Sequence, residues 1–119
     1  MLLDELESEG LIVNFNKLPE TLSKHLPKEV LIWDETLRDG EQTPGTTLLI
    51  DEKIEIAKMM DDMGVHIIDV GFPAVSESER EVVRRIAAEG FTNASICAPA
   101  RAIRSDIDAS IQAGAEEVP

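Results

Sequence analysis

From residue 30 onward, short apolar runs alternate with amphipathic helical patterns, and no other feature of the chain restricts its fold as much. Val30 to Trp33 is the first apolar run. Thr47 to Met63 comes next, with Leu49, Ile50, Ile54, Ala57, Met60 and Met63 at helical spacing. Asp51, Glu52 and Lys53 lie in its first turns, and Gly64 stands where a helix stops. His66 to Val70 is apolar and rich in β-branched residues, as a buried parallel strand is, and Gly71-Phe72-Pro73 breaks it. Ser76 then opens a second helix, with Glu79 three residues on completing a capping box. Its apolar face is Val82, Val83, Ile86 and Ala87, and Gly90 ends it. Ala94 to Ala98 reads as a third strand. A third helix, starting at Arg104 or Ser105, runs through Ile107, Ile111 and Ala113 to Gly114. Ala115 to Val118 opens a fourth strand.

A strand and a helix thus recur about every 30 residues, which implies a parallel sheet joined by right-handed crossovers. Two closures satisfy that pattern: a (β/α)8 barrel or an open doubly wound sheet. Gly40 and Gly45 have neither dinucleotide-binding nor phosphate-loop spacing. Residues 1–29 differ. Leu2, Leu3 and Leu6 among acidic residues suit a short amphipathic helix ended by Gly10, and Pro19 and Pro27 interrupt the stretch beyond it. These residues read as an appended N-terminal arm, with residues 30–119 as the domain.

A net charge of −13 over 119 residues leaves no basic footprint for nucleic acid. It also obliges any anion site to gather its few cations locally. No stretch is long and apolar enough to span a membrane. Cys97 is the only cysteine, so no internal disulfide forms, and the expected compartment is the reducing cytoplasm. Cys97 lies within an apolar stretch without a polarising partner, as a buried strand cysteine does.

The chemistry gathers where the strands end, which is where α/β proteins build their sites. The run Leu31 to Gly45 begins as a strand and breaks into a loop that brings Asp34, Arg38, Asp39 and Gln42 together. Asp39 is the candidate metal ligand, since Mg²⁺ and Mn²⁺ favour carboxylate oxygens, although one carboxylate is not a site. Arg38 either stabilises an oxyanion or pairs with Asp34 or Glu35. Gln42 either meets a substrate oxygen or satisfies loop backbone. Asp69 ends the second strand, where a charge needs a partner, and Arg101 stands after the third. His25, in the arm, and His66, at the amino end of a strand, read as structural or surface residues. An aspartyl nucleophile at Asp34 is disfavoured because Thr36 stands where that chemistry wants a second aspartate.

Asp34-Glu35-Thr36-Leu37-Arg38-Asp39-Gly40-Glu41-Gln42-Thr43-Pro44-Gly45 resembles the metal-dependent family of 2-isopropylmalate, citramalate and homocitrate synthases and hydroxymethylglutaryl-CoA lyase. Gly64 to Ser76 reinforces the resemblance and Ala100 to Asp108 adds a weaker match. Gly71-Phe72-Pro73-Ala74-Val75-Ser76 is most similar to 2-isopropylmalate synthases, and homocitrate synthases usually carry Glu at the place of Asp39. The resemblance implies an incomplete (β/α)8 barrel: three βα units and the start of the fourth strand. It implies a divalent metal (Mg, Mn or Zn) on Asp39, Arg38 as the catalytic stabiliser of an enolate or carbonyl oxygen, and Gln42, Asp69 and Arg101 beside the substrate. Asp69 stands where the family often has Glu. The implied reaction is a Claisen-like condensation of acetyl-CoA with a 2-oxo acid, as in leucine biosynthesis. The family's His-x-His ligand pair does not occur in this chain. Little activity is therefore expected of it alone. The competing expectations are a carbon–carbon lyase of the hydroxymethylglutaryl-CoA type and a non-catalytic half barrel that self-associates or needs a complementing chain.

Overall fold

The computed structural model describes residues 2–10, 13 and 27–119. Pro19 and His25 of the arm lie outside the described residues. The chain divides into two compact units, Met1–Val30 and Leu31–Pro119. In the first, α1 (Leu2–Ser8) ends in a turn at Gly10, whose φ of +70° suits glycine.

The second unit alternates strand and helix: β1 (Trp33–Asp34), a 3₁₀ turn (Gly40–Gln42), α2 (Ile50–Asp62), β2 (Ile67–Asp69), α3 (Glu77–Ala87), β3 (Ser95–Cys97) and α4 (Arg104–Gln112). The strands are parallel and ordered β1-β2-β3, with Trp33 opposite Ile67 and Asp69 opposite Cys97. Each new strand is added on the same side of the last. Right-handed crossovers then put successive helices on one face of the sheet. The common doubly wound orders, 3-2-1-4-5-6 and 2-1-3-4-5, bring the third or fourth strand back beside the first, and no such return occurs here, because β3 pairs with β2 and Glu117 lies beside Cys97 of β3. Residues after α4 continue the progression. Glu117 bridges Cys97 in parallel, and Ala98 N–H donates to the Glu117 carbonyl at 3.1 Å, although no full strand forms at 115–118.

The core lies between sheet and helices. Ile68, Val70, Ile96 and Ala98 from the strand segments meet Ile54 and Ala57 of α2 and Val82, Val83 and Ile86 of α3. Fully burying an aliphatic side chain of this kind stabilises by about 1.5–3 kcal/mol. Among the described residues, no helix is long and apolar enough to cross a membrane.

Three further expectations change, and the buried face of α4 is settled. The first strand pairs only from Trp33, and Val30 and Leu31 are exposed, because β1 is an edge strand with β2 its one partner among the described residues. Helix α2 starts at Ile50 because the N–H groups of Leu48 and Leu49 are taken by the Glu41 and Glu52 carboxylates. The capping box at Ser76 is half formed. Its hydroxyl accepts from Glu79 N–H at 3.1 Å, but the Glu79 carboxylate turns to Phe72 N–H. Helix α4 faces the core with Asp106, Ala109, Ser110 and Ala113, leaving Ile107 and Ile111 on the outside. Small side chains let this helix approach closely, which apolar periodicity alone does not reveal.

Candidate functional site

The loop after β1 is built by its own backbone. The Asp34 carboxylate accepts from Thr36 N–H at 2.8 Å, a turn-forming contact rather than a nucleophile's position. The Glu35 carbonyl gathers the N–H groups of Arg38, Asp39 and Gly40. Leu37, fully buried, pins the turn to the core. With Leu37 fixed, its neighbour Arg38 is held over the sheet end.

Arg38 Nε donates to Asp69 Oδ2 at 2.8 Å. Its other two nitrogens meet Glu35 at 3.1 Å and Asp39 at 3.4 Å. One guanidinium therefore serves three carboxylates, and the Asp69 bond foremost holds its pKa above the ordinary value. Asp69 is fully buried, and its Oδ1 has no hydrogen-bond partner among the described residues. Burial pushes its carboxyl up, and Arg38 pulls it back.

Beside Arg38 opens a cleft of about 680 Å³. Its walls are Arg38, Glu41, Gln42, Thr46 and Thr47 from the β1 side, Phe72, Val75 and Glu79 from the β2 side, and Pro99 after β3. Glu41 forms an ion pair with Lys53, whose side chain is only 3% exposed, and accepts from Leu48 N–H at 3.0 Å. Burial works against the ionised Glu41, but the Lys53 contact and the Leu48 N–H together hold its carboxyl below the usual range. Glu79 lies 4.0 Å from the same ammonium and accepts from Phe72 N–H at 3.4 Å. Gly71, at φ +145°, sits beneath it, and a Cβ there would come 2.7 Å from Glu79 Oε2.

Of the residues read from the sequence, Arg38 and Gln42 line this cleft, and Asp69 stands behind Arg38 as its buried anchor. Asp39 is beside Arg38 but does not line the cleft, and its side chain is 59% exposed. Arg101 turns away: its Nε meets the buried Asp106 carboxylate at 2.5 Å and its Nη2 at 3.2 Å, bracing the start of α4. Pro99 represents that loop in the cleft instead. Glu41, Lys53 and Glu79 were not singled out as site residues. The available signal was Lys53 itself, a charge on the same helical face as Ile50, Ile54 and Ala57.

Among the described residues, no group of three His, Cys, Asp or Glu side chains converges as a metal site. Asp39, exposed and facing an arginine, is one carboxylate and does not by itself make a site for a divalent cation. His66 Nδ1 accepts from Ile32 N–H at 3.1 Å at the opposite end of the sheet. Cys97 is buried, its thiol pushed up to about 12 by burial and by the Asp69 carboxylate, so it is no nucleophile at neutral pH.

A singly wound parallel sheet with a cleft outside its carboxyl ends is the arrangement in which α/β proteins place their ligand sites. The chain belongs to the HMGL-like family, whose model matches residues 29–119. It is 52% identical over 93 residues to homocitrate synthase AksA of Methanopyrus kandleri, covering 78% of this chain and 23% of that protein. It is 53% identical over 88 residues to a probable 2-isopropylmalate synthase of the same organism, covering 74% and 17%. The 2-isopropylmalate synthase of Methanocaldococcus jannaschii is 46% identical over 94 residues, covering 79% and 18%. The chain thus spans about a quarter or less of the length of these relatives, and identity does not separate one synthase from another.

Proposed function

We propose that Leu31–Pro119 form the first three βα units, and the opening of the fourth strand, of a (β/α)8 acyltransferase of the 2-isopropylmalate synthase type. The protein as a whole would join the methyl carbon of acetyl-CoA to the carbonyl carbon of a 2-oxo acid and release CoA by hydrolysis of the thioester. The observation that carries this reading is the cleft itself, with Arg38 and Gln42 of one loop on its wall. Relatives with synthase names match the segment that builds it.

In this reading the residues of this chain bind and orient. Arg38 offers its outer N–H groups to the carboxylate or carbonyl oxygen of the oxo acid, and Asp69 fixes the plane of the guanidinium. Gln42 supplies a neutral amide beside it. Phe72 and Val75 give the apolar wall for the substrate's side chain. Asp39 is proposed as one carboxylate donor to a cation whose remaining ligands are not among the described residues. Acetyl-CoA has no identified contact here.

The test is a heteronuclear NMR titration with 2-oxoisovalerate. Millimolar binding with shifts at Gln42 and Phe72, lost in Arg38→Met, is expected. Saturating oxo acid that leaves those signals in place would overturn the reading. Isothermal titration with Mn²⁺ should show no tight stoichiometric binding, because one carboxylate does not make a cation site.

A further inference from the structure

We propose that Lys53 is a positioning residue for the cleft, its buried ammonium tying the loop after β1 to the loop after β2 through Glu41 and Glu79. The inference rests on the cleft being the substrate site, and its main readout needs no substrate.

Lys53 lies on the core-facing side of α2, where an apolar residue would fill space without desolvating a charge. What an apolar residue cannot do is hold two carboxylates. One oxygen of Glu41 contacts the ammonium and the other accepts from Leu48 N–H at 3.0 Å. One oxygen of Glu79 lies 4.0 Å from the same ammonium and the other accepts from Phe72 N–H at 3.4 Å. Glu41 is therefore held directly by Lys53 and by a backbone N–H, while Glu79 bonds a backbone N–H and meets the ammonium only at long ion-pair distance. The result is a continuous link from Leu48, entering α2, to Phe72, leaving β2. Glu41 precedes Gln42, so the link sets the wall that presents the amide as well as the wall that presents the Phe72 ring. Gly71 belongs to the same device, since any larger residue would push the Glu79 carboxylate off Phe72.

The experiment measures amide hydrogen exchange on the whole chain with Lys53→Met and Lys53→Arg. The amides of Leu48 and Phe72 report the link. Those of Thr92, Asn93 and Ala94, held by Asp61 at the other end of the sheet, are the internal control. In Lys53→Met, exchange at Leu48 and Phe72 is expected to rise at least about tenfold with the control amides unchanged. Lys53→Arg should restore both to within about twofold, because it keeps the charge. Apparent affinity for 2-oxoisovalerate, tracked at Gln42, should fall at least about fivefold in Lys53→Met and return in Lys53→Arg. Unchanged Leu48 and Phe72 exchange, or a uniform rise at both ends, would overturn the proposal. If Lys53→Met does not fold, Glu79→Gln replaces it, with faster exchange confined to Phe72 expected and unchanged exchange contradictory. If the unaltered chain binds no oxo acid, the functional reading fails, while the exchange result still decides the role of Lys53.

Discussion

The two ends of the sheet treat polar side chains differently. At the amino end, Asp61 closes α2 onto the start of β3 by accepting from Thr92, Asn93 and Ala94 N–H, and His66 accepts from Ile32 N–H. Those charges and lone pairs are spent on backbone. At the carboxyl end, one arginine is shared by three acids, one lysine by two, and the inner Asp69 oxygen has no partner among the described residues. Polar groups held close together without full mutual satisfaction are costly in a core and useful beside a ligand. The amino end is thus a fastening, and the carboxyl end is the proposed site.

The sharpest way to break that contrast is at Asp61. Asp61→Ala strips three backbone donors of their acceptor, and a fall in Tm on the order of 20 °C is expected, with oxo-acid binding unchanged below the transition. Calorimetry and titration on the same sample check it, and lost binding in the folded variant would erase the distinction. The N–H of Thr92, then those of Asn93 and Ala94, hold the Asp61 carboxyl below its ordinary value of 3.8. Its contribution is present above that pH and is lost as pH falls through the depressed value.

Next in size is Arg38→Met, which leaves Asp69 buried and unpaired. Arg38 is partly exposed, which softens the loss to about 2–3 kcal/mol at pH 7. The sign with pH is opposite to that of Asp61. Burial puts the folded Asp69 carboxyl above its ordinary 3.8, so its ionisation opposes folding as pH rises from there through the raised value. Arg38→Met should raise it further, so urea unfolding should show the defect shrinking as pH is lowered toward 4. A defect independent of pH would show that Asp69 is not the cause. Gly71→Ala should cost about 1–3 kcal/mol from strain and the clash with Glu79, measured by the same unfolding. The smallest effect is chemical: Cys97 in the native chain should resist iodoacetamide at pH 8, where an exposed thiol reacts.

Much of the domain could be read from the sequence because period and punctuation agreed. Helix stops at Gly64, Gly90 and Gly114, and β-branched runs at Ile67 to Val70, left little freedom. Strand order was open until the parallel pairings appeared, since the βα pattern is common to both closures. The buried face of α4 was not legible, because Ile107 and Ile111 dominate its apolar pattern while Ala109 and Ser110 are the residues buried. Arg38 and Gln42 were legible from one motif. Arg101 was placed by its position after a strand, but Asp106, five residues on, claims its guanidinium. Lys53 was passed over as a first-turn charge because its partners, Glu41 and Glu79, lie on separate elements and only the fold brings them together.

The central claim is that the carboxyl-end cleft, and not the amino end, receives an oxo acid. Crystals of the chain soaked in 2-oxoisovalerate test it most directly. A carboxylate or carbonyl oxygen within hydrogen-bond distance of both Arg38 and Gln42 is the expected result. A cleft without ligand at saturating oxo acid, or ligand bound only near Asp61 and His66, would contradict it.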